Sequence, residues 1–466
     1  MKTRITSILA GLLLIFGQSL AQDVRNSSFT LEQCIDYAME HNENLLNAAL
    51  DREIADARVR ETIADGLPQI NGNLDLAYNY KIATTPIPDF ISPSVYGVLF
   101  QESLLEPRNL GDPAVFPAQF GTKYTGSATI GLEQMIFNGS YFVGLKAART
   151  YTELSRKDQV KSEIDVIEAV SKAYYLLLVN EEQVELLNKN YNRLDSLLRD
   201  TKALNKYGFA EKIEVNRVQV QFNNVKVERD NIKEFVSLSK ALLKFQMGYP
   251  QREELEISES IDDLIFESVS NDIADSFDYQ QRIEFSQLMT NMELNELDVK
   301  NTNSKYYPEI NLYGTLGSTA GAQSSSDLFN FDDNWFGLGV VGLRMSVPIF
   351  DGFRKSNIIQ QKRIQARQLD NNKAQIENSI DLEIKESNTN YKNAIDYMVA
   401  QQENMVLAEE VYNVAKIKYY EGVGSSLEVT DADTEFKTAQ INYYTALYDA
   451  LVAKVELQKA YGILNK

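Results

Sequence analysis

Residues 69–80 alternate in character. Ile70, Leu74, Leu76, Tyr78 and Tyr80 stand on even positions, while Asn71, Asn73, Asp75 and Asn79 stand on odd ones. That two-residue period predicts a strand with one apolar and one polar face. Three further stretches, 123–136, 308–318 and 335–349, are read as strands on the same grounds. Ala128, Ile130 and Leu132 alternate with Ser127, Thr129 and Glu133, and Val341, Leu343 and Met345 alternate with Gly342, Arg344 and Ser346. Most of the remaining chain carries a helical period. Thr30 with Gln33 forms a capping box that starts a helix running toward Ala64, and two long helical segments follow near 140–206 and 212–247. Val160, Ile164, Ile167, Ser171, Tyr174 and Leu178 step by four and three, and Val184, Leu187, Tyr191, Leu194 and Leu198 resume the series. This is a coiled-coil seam. A helix of about 65 residues is on the order of 100 Å long, which no compact globule houses easily.

The pattern occurs twice. GLPQINGNLDLAY (66–78) is echoed by YYPEINLYGTLGS (306–318), with Pro68 matching Pro308. GLEQMIFNGSYFVGLKAAR (131–149) is echoed by GLRMSVPIFDGFRKSNIIQ (342–360), and KYGFAEKIEVNR (206–217) by YEGVGSSLEVTD (420–431). The order is the same in both halves, which predicts a tandem duplication of one plan: helix, strand, strand, Phe-x-Gly turn, long helix, Gly turn, helix. Pro68 and Pro308 are 240 apart but Gly139 and Gly352 only 213, so the first half holds 27 extra residues. They fall within 81–123, a stretch with six of the ten prolines, and this insertion is read as a long loop.

Composition narrows what such a chain does. Net charge is −20, against a nucleic-acid partner, which needs a basic footprint. Residues 1–21 begin with Lys2 and Arg4, continue through ILAGLLLIFG and end at Ser19-Leu20-Ala21, a secretory signal peptide with cleavage expected after Ala21. The single cysteine, Cys34, forms no intramolecular disulfide and is read as an ordinary helix residue. Beyond the leader no apolar run of about 18 residues exists to make a membrane helix, so a closed β-barrel is the remaining way into a bilayer. The strands have roughly the 9–11 residues, or slightly more, that a tilted bilayer-spanning strand needs, and Tyr78, Tyr80, Tyr124, Trp335 and Phe336 suit an interfacial girdle. A half-buried soluble sheet fits the same alternation. Four strands are too few to close a membrane barrel, whose minimum is about eight. Two copies give about eight strands with a side-chain-filled interior, and three give about twelve with room for a water-filled lumen.

The duplicated plan, the LEQCIDYAMEHNENL opening, the paired PQI and PEI strand starts, FNG and FDG, and the ending YEGVGSSLEVTDADTEFKTAQINYYTALYDALVAKVELQKAYG resemble the TolC-type outer-membrane efflux protein family over essentially the whole mature chain. The resemblance implies a mainly α chain with a transmembrane β-barrel. Four strands per chain contribute to a twelve-stranded trimeric barrel, and the duplicated helix hairpins build a long coiled-coil α-barrel in the periplasm. It implies an outer-membrane exit duct for a tripartite efflux pump or type I secretion system, passive, with no enzymatic activity and no cofactor. The partners implied are two further copies of the chain, a periplasmic adaptor, an inner-membrane transporter and outer-membrane lipid. Where relatives carry a lipidated cysteine after the leader, this chain has Gln22.

By the same resemblance the Gly turns, with Gly208, Gly422 and Gly424, form the periplasmic tip. Leu427-Glu428-Val429-Thr430-Asp431-Ala432 matches the family pattern LDVLDA, so Glu428 and Asp431, with Glu214 and Arg217 in the first half, are expected at the closed entrance. There Glu428 and Asp431, repeated by threefold symmetry, would form acidic rings that bind cations and help to gate. Each pair is three residues apart and shares a helical face; a solvated face is the plainer reading. Ile70, Leu74, Leu76, Tyr78 and Tyr80 are expected on the lipid side. Gly139 and Gly352 are assigned to the strand-to-helix transition. His41 has no second histidine with which to hold zinc, and Asp262-Asp263 and Asp332-Asp333 read as solvated charge. The chain divides into a leader (1–21), a first repeat (22–249), a connector (250–276) and a second repeat (277–466). A secreted or periplasmic coiled-coil interaction protein with a small soluble sheet is the alternative.

Overall fold

The computed structural model describes residues 28–112, 114–259, 261 and 277–464. The leader and most of the connector, with Asp262 and Asp263, lie outside them. The capping box is formed as expected: the Thr30 hydroxyl accepts from the Gln33 amide, and the Gln33 side chain accepts from the Thr30 amide. Helix α1 (Leu31–His41) does not run on to Ala64, however. Asn42 is extended and caps a new helix, α2 (Glu43–Ala64), by accepting from the amides of Asn44 and Leu45. Its own amide group donates to the Gln246 carbonyl at 2.8 Å. The break is a docking point, which helical periodicity does not register.

The chain continues through β1 (Ser28–Phe29, ahead of α1), β2 (Gln69–Tyr78), β3 (Thr84–Pro88), α3 (Ile91–Gln101), β4 (Val115–Gln119), β5 (Tyr124–Phe137), α4 (Gly139–Lys206), α5 (Lys212–Met247) and β6 (Glu256–Ile257). It then repeats itself in α6 (Ile283–Ser304), β7 (Glu309–Ala322), the short α7 (Ser325–Leu328), β8 (Trp335–Ser346), α8 (Arg354–Tyr420) and α9 (Ser426–Ala460). Corresponding helices match in length: 22 and 22 residues for α2 and α6, 68 and 67 for α4 and α8, 36 and 35 for α5 and α9. All four long helices end in one way. A glycine at positive φ (Gly208, Gly248, Gly422 or Gly462) donates back three residues, and the next residue donates back five. This is the Schellman arrangement, which favours glycine because an L side chain is strained there. Gly248 adds a second constraint, since a Cβ would lie 2.4 Å from the His41 carbonyl oxygen.

The insertion 81–123 is not a loop throughout. β3 and β4 pair antiparallel, with Pro86 opposite Pro117, and α3 lies between them. Proline is tolerated in a two-stranded ribbon because each strand keeps one unpaired side. Strand limits also differ from the sequence reading. β2 ends at Tyr78, so Tyr80 lies beyond it; β7 reaches Ala322; β8 stops at Ser346. The end of β7, Ser318-Thr319-Ala320-Gly321-Ala322, has no apolar alternation, yet it keeps its ladder to β5 as far as Tyr124.

The residues form two compact units. One comprises Ala57–Arg149 and Asn295–Ile364 and holds the antiparallel sheet β2-β5-β7-β8. The other comprises the residues up to Asp56, Thr150–Leu294 and those from Gln365. Its main core joins Cys34 and Ala38 of α1 to Val170, Tyr174 and Leu177 of α4, Leu243 and Met247 of α5, and Leu447 and Leu451 of α9. Burial pushes the Cys34 thiol up to about 12, leaving it an inert helix residue. On the predicted α4 seam Ile167, Ser171, Tyr174, Leu178, Leu187, Leu194 and Leu198 are buried, while Val160, Ile164, Val184 and Tyr191 are half-buried. His41 stacks on Tyr37 at 4.0 Å.

Candidate functional site

In the sheet, register gathers the alternating residues into two continuous faces. Ile70 pairs Leu132, Leu74 pairs Ala128, and Tyr78 pairs Tyr124; Ile130 then meets Leu316, Leu312 meets Leu343, and Ile310 meets Met345. These residues share one face across all four strands, because directly paired residues point the same way. The opposite face collects Asn71, Asn73, Asp75, Ser127, Thr129, Glu133, Thr315, Thr319 and Arg344, with Ser127 donating to Asp75 at 3.3 Å. Among the described residues no layer covers the apolar face: Ile70, Leu74 and Leu343 are each about 70% exposed.

Aromatic side chains mark both ends of that face. Tyr78 and Tyr124 lie 5.0 Å apart, and the Trp335 ring packs 3.1 Å from where a Gly126 Cβ would stand, with its indole N–H donating to the Leu328 carbonyl at 2.8 Å. Phe336, assigned to the same girdle from sequence, pairs with Thr319 on the polar face instead. At the strand-to-helix end a second belt stands exposed: Phe137, Phe142, Tyr306, Tyr307, Phe350 and Phe353. Sequence reading missed it, although the Phe of FNG and FDG and the Tyr-Tyr before Pro308 belong to it. Gly139, which opens α4, sits where a Cβ would lie 3.1 Å from that of Ser304; Gly352 has φ +66°.

In the other unit, the α4–α5 and α8–α9 turns carry the remaining candidates. Gly208 and Gly422 supply the positive φ. Gly424 acts by close approach instead, since a Cβ there would meet the Lys418 Cβ at 2.9 Å. Val423 is 78% exposed, and Ser425 caps α9 by accepting from the Glu428 amide. Glu428 and Asp431 are exposed on one face of α9 and line a groove of about 510 Å³ with Glu410, Val411, Val414 and Lys418 of α8 and Glu435 of α9. Four carboxylates against one lysine make the groove acidic. Glu435 was legible, being four residues beyond Asp431. Glu410 was not, because only the α8–α9 packing brings it there. Glu214, half-buried, and Arg217, exposed, are on α5 and are not among the groove residues.

Beneath the groove residues the four helices interlock. Leu194 and Leu198, Val218 and Val225, Tyr412 and Ala415, Val429 and Phe436 form one core from α4, α5, α8 and α9 in turn. Arg193 pairs with Asp433 at 2.8 Å while its guanidinium lies 4.5 Å from the Tyr412 ring centre. Asp433 is 3% exposed, and burial raises its carboxyl above the usual carboxylate range. On α5, Gln221 donates to the Thr430 carbonyl and to the Thr434 hydroxyl.

The profile of the family described as "Outer membrane efflux protein" matches residues 34–234 and 280–463. The chain is similar to Outer membrane protein TolC of Vibrio cholerae, 20% identical over 342 residues, 73% of this chain and 77% of that one. It is also similar to TolC of Salmonella enteritidis, 20% identical over 99% of this chain and 87% of that one. Among solved structures it superposes on CusC with TM-score 0.70 at 17% identity, covering 95% of each chain. It superposes on the open state of the MtrE outer membrane channel of Neisseria gonorrhoeae with TM-score 0.70 at 15% identity, covering 95% of this chain and 94% of that one.

Proposed function

This chain belongs to the outer membrane efflux protein family, and from that membership we infer how its two candidate regions work. It is an outer-membrane channel, the exit duct of an efflux system, and not an enzyme. We assign it as a homotrimer with a twelve-stranded barrel, working with a periplasmic adaptor and an energised inner-membrane transporter. The observation that carries this reading is the bare apolar face bounded by two aromatic belts on a sheet whose edges, β2 and β8, have no partner strand among the described residues. A long unpaired edge is a liability that closure removes. The strand count is even and every neighbour antiparallel, so β2 of one copy can pair antiparallel with β8 of the next.

Exposed apolar seams on the helices support the same assembly. Ile213, Val220 and Val227 on α5 repeat every seven residues, and Leu407, Val411 and Val414 on α8, the last two at the edge of the groove, form a second exposed stripe. In this reading Ile70, Leu74, Leu76 and Tyr78 face lipid with Tyr80 just beyond, and Asn71, Asn73 and Asp75 face a shared lumen. The turns at Gly208, Gly422 and Gly424 form the periplasmic tip. Glu428 and Asp431, with Glu410 and Glu435, ring the entrance, while Glu214 and Arg217 stand beside it. The leader at 1–21, the repeats at 22–249 and 277–466 and the connector at 250–276 belong to the same assignment. The purified protein in a planar bilayer is expected to give discrete conductance steps. A preparation that stays water-soluble and gives none rejects it.

A further inference from the structure

Helix α3, ISPSVYGVLFQ, carries no charged residue, and none of its residues is buried. Ile91, Val95 and Val98, spaced i, i+4 and i+7, form one exposed stripe, and Phe90 before them is 68% exposed. Tyr96 and Phe100 stack on each other, and Arg108 lies over the Tyr96 ring, so the insertion folds on itself while that stripe faces out. A helix without charge that leaves such an apolar stripe exposed needs cover.

The sheet register indicates what supplies it. Tyr78 is level with Tyr124 and Ala322, and Leu76 with Gly126, Ala320 and Trp335. The chain leaving β2 and the chain entering β8 therefore emerge at the same end of the sheet, on its two opposite edges. Within one copy β5 and β7 separate them. Where β2 of one copy meets β8 of the next, they become neighbours. The segment entering β8, 323–334, presents Phe329 and Phe331, 59% and 65% exposed, beside the carboxylates of Asp327, Asp332 and Asp333, and it has no basic residue. On the β2 side Lys81 stands exposed at the foot of the insertion, with Lys123 at its return. Apolar side chains face apolar ones, and lysines face aspartates.

We propose that the insertion is an intersubunit clasp: α3 and Lys81 of one copy pack on Phe329, Phe331, Asp332 and Asp333 of the adjacent copy, sealing the outward end of the joint between β2 and β8. This rests on the trimeric assembly proposed above. Lipid would cover the stripe but offers neither cover to Phe329 and Phe331 nor a counter-charge to the aspartates, of which Asp327 and Asp333 accept, among the described residues, only from the neutral donors Ser326 and Asn330. The clasp satisfies both.

The test places a photo-activated benzophenone side chain at Val98 in the full-length protein in outer membranes. After illumination the products are mapped by mass spectrometry, and the oligomer mass is measured on the same sample. The expected result is a covalent two-copy product whose adduct lies within 323–334. A trimer whose adducts are confined to lipid, to its own chain or to a different protein overturns the clasp and leaves the trimer standing. A monomer by mass overturns the trimer, and the clasp with it. Independently, Lys81→Glu is expected to lower the temperature at which the trimer dissociates, and Lys81→Glu with Asp332→Lys to restore it. Identical temperatures for all three proteins would also overturn the clasp.

Discussion

Asp431 and Asp433 are two residues apart on α9, so about 200° of helical rotation separates them. One is exposed in an acidic groove, while the other is buried against Arg193. With Glu410, Glu428 and Glu435 against Lys418 alone, the groove carries three uncompensated negative charges. Glu428→Ala with Asp431→Ala is expected to raise single-channel conductance and weaken block by divalent cations in planar bilayers. Glu214→Ala with Arg217→Ala removes opposite charges outside the groove and should change block far less; equal effects would detach gating from the groove. Asp433 yields a prediction of opposite kind. Its carboxyl is raised in the folded state, so the fold binds this proton more readily than the unfolded chain does. Its burial therefore costs stability at neutral pH, and that cost is relieved as pH falls through the raised value toward about 4. Wild type is expected to gain thermal stability relative to Asp433→Asn over that descent; a difference independent of pH rejects the assignment. The sequence places Asp431 on a face with Glu428 but gives no sign that Asp433 is buried, because burial depends on α4, which lies more than 200 residues away.

Among the elements, the strands and helix ends were the most legible. Alternation located all four sheet strands, and the recurring glycines marked where long helices turn. Both signals are local. The breaks and edges were less so: Asn42 interrupts the first helix because its amide reaches Gln246, and β3, α3 and β4 arise in a stretch whose prolines read as loop. Strand faces give a sharp test. Leu74→Arg on the apolar face is expected to cost about 2–4 kcal/mol if that face meets the bilayer midplane. Asn73→Arg, one residue away on the polar face, is expected to be tolerated. Yield of folded, heat-modifiable protein in outer membranes measures both, and equal losses would mean that the two faces do not differ in environment.

At the level of the whole molecule, the described residues of one chain leave an uncovered apolar face, two open strand edges and exposed apolar seams on α5 and α8. Each is a reason for copies to associate. Detergent-extracted protein is expected to have the mass of a trimer by light scattering after correction for bound detergent; a monodisperse monomer would refute the assembly. The sequence by itself determined the alternation of the strands, the capped and glycine-terminated helices, their duplication and the family, because each is written in contiguous residues or in their order. Only the tertiary structure decided that the apolar residues of four strands join into one face, that Glu410 lines one groove with Glu428, that Asp433 is buried and that the insertion carries a helix with an exposed apolar stripe. Those depend on register and packing between segments far apart in the chain, and no local period encodes them.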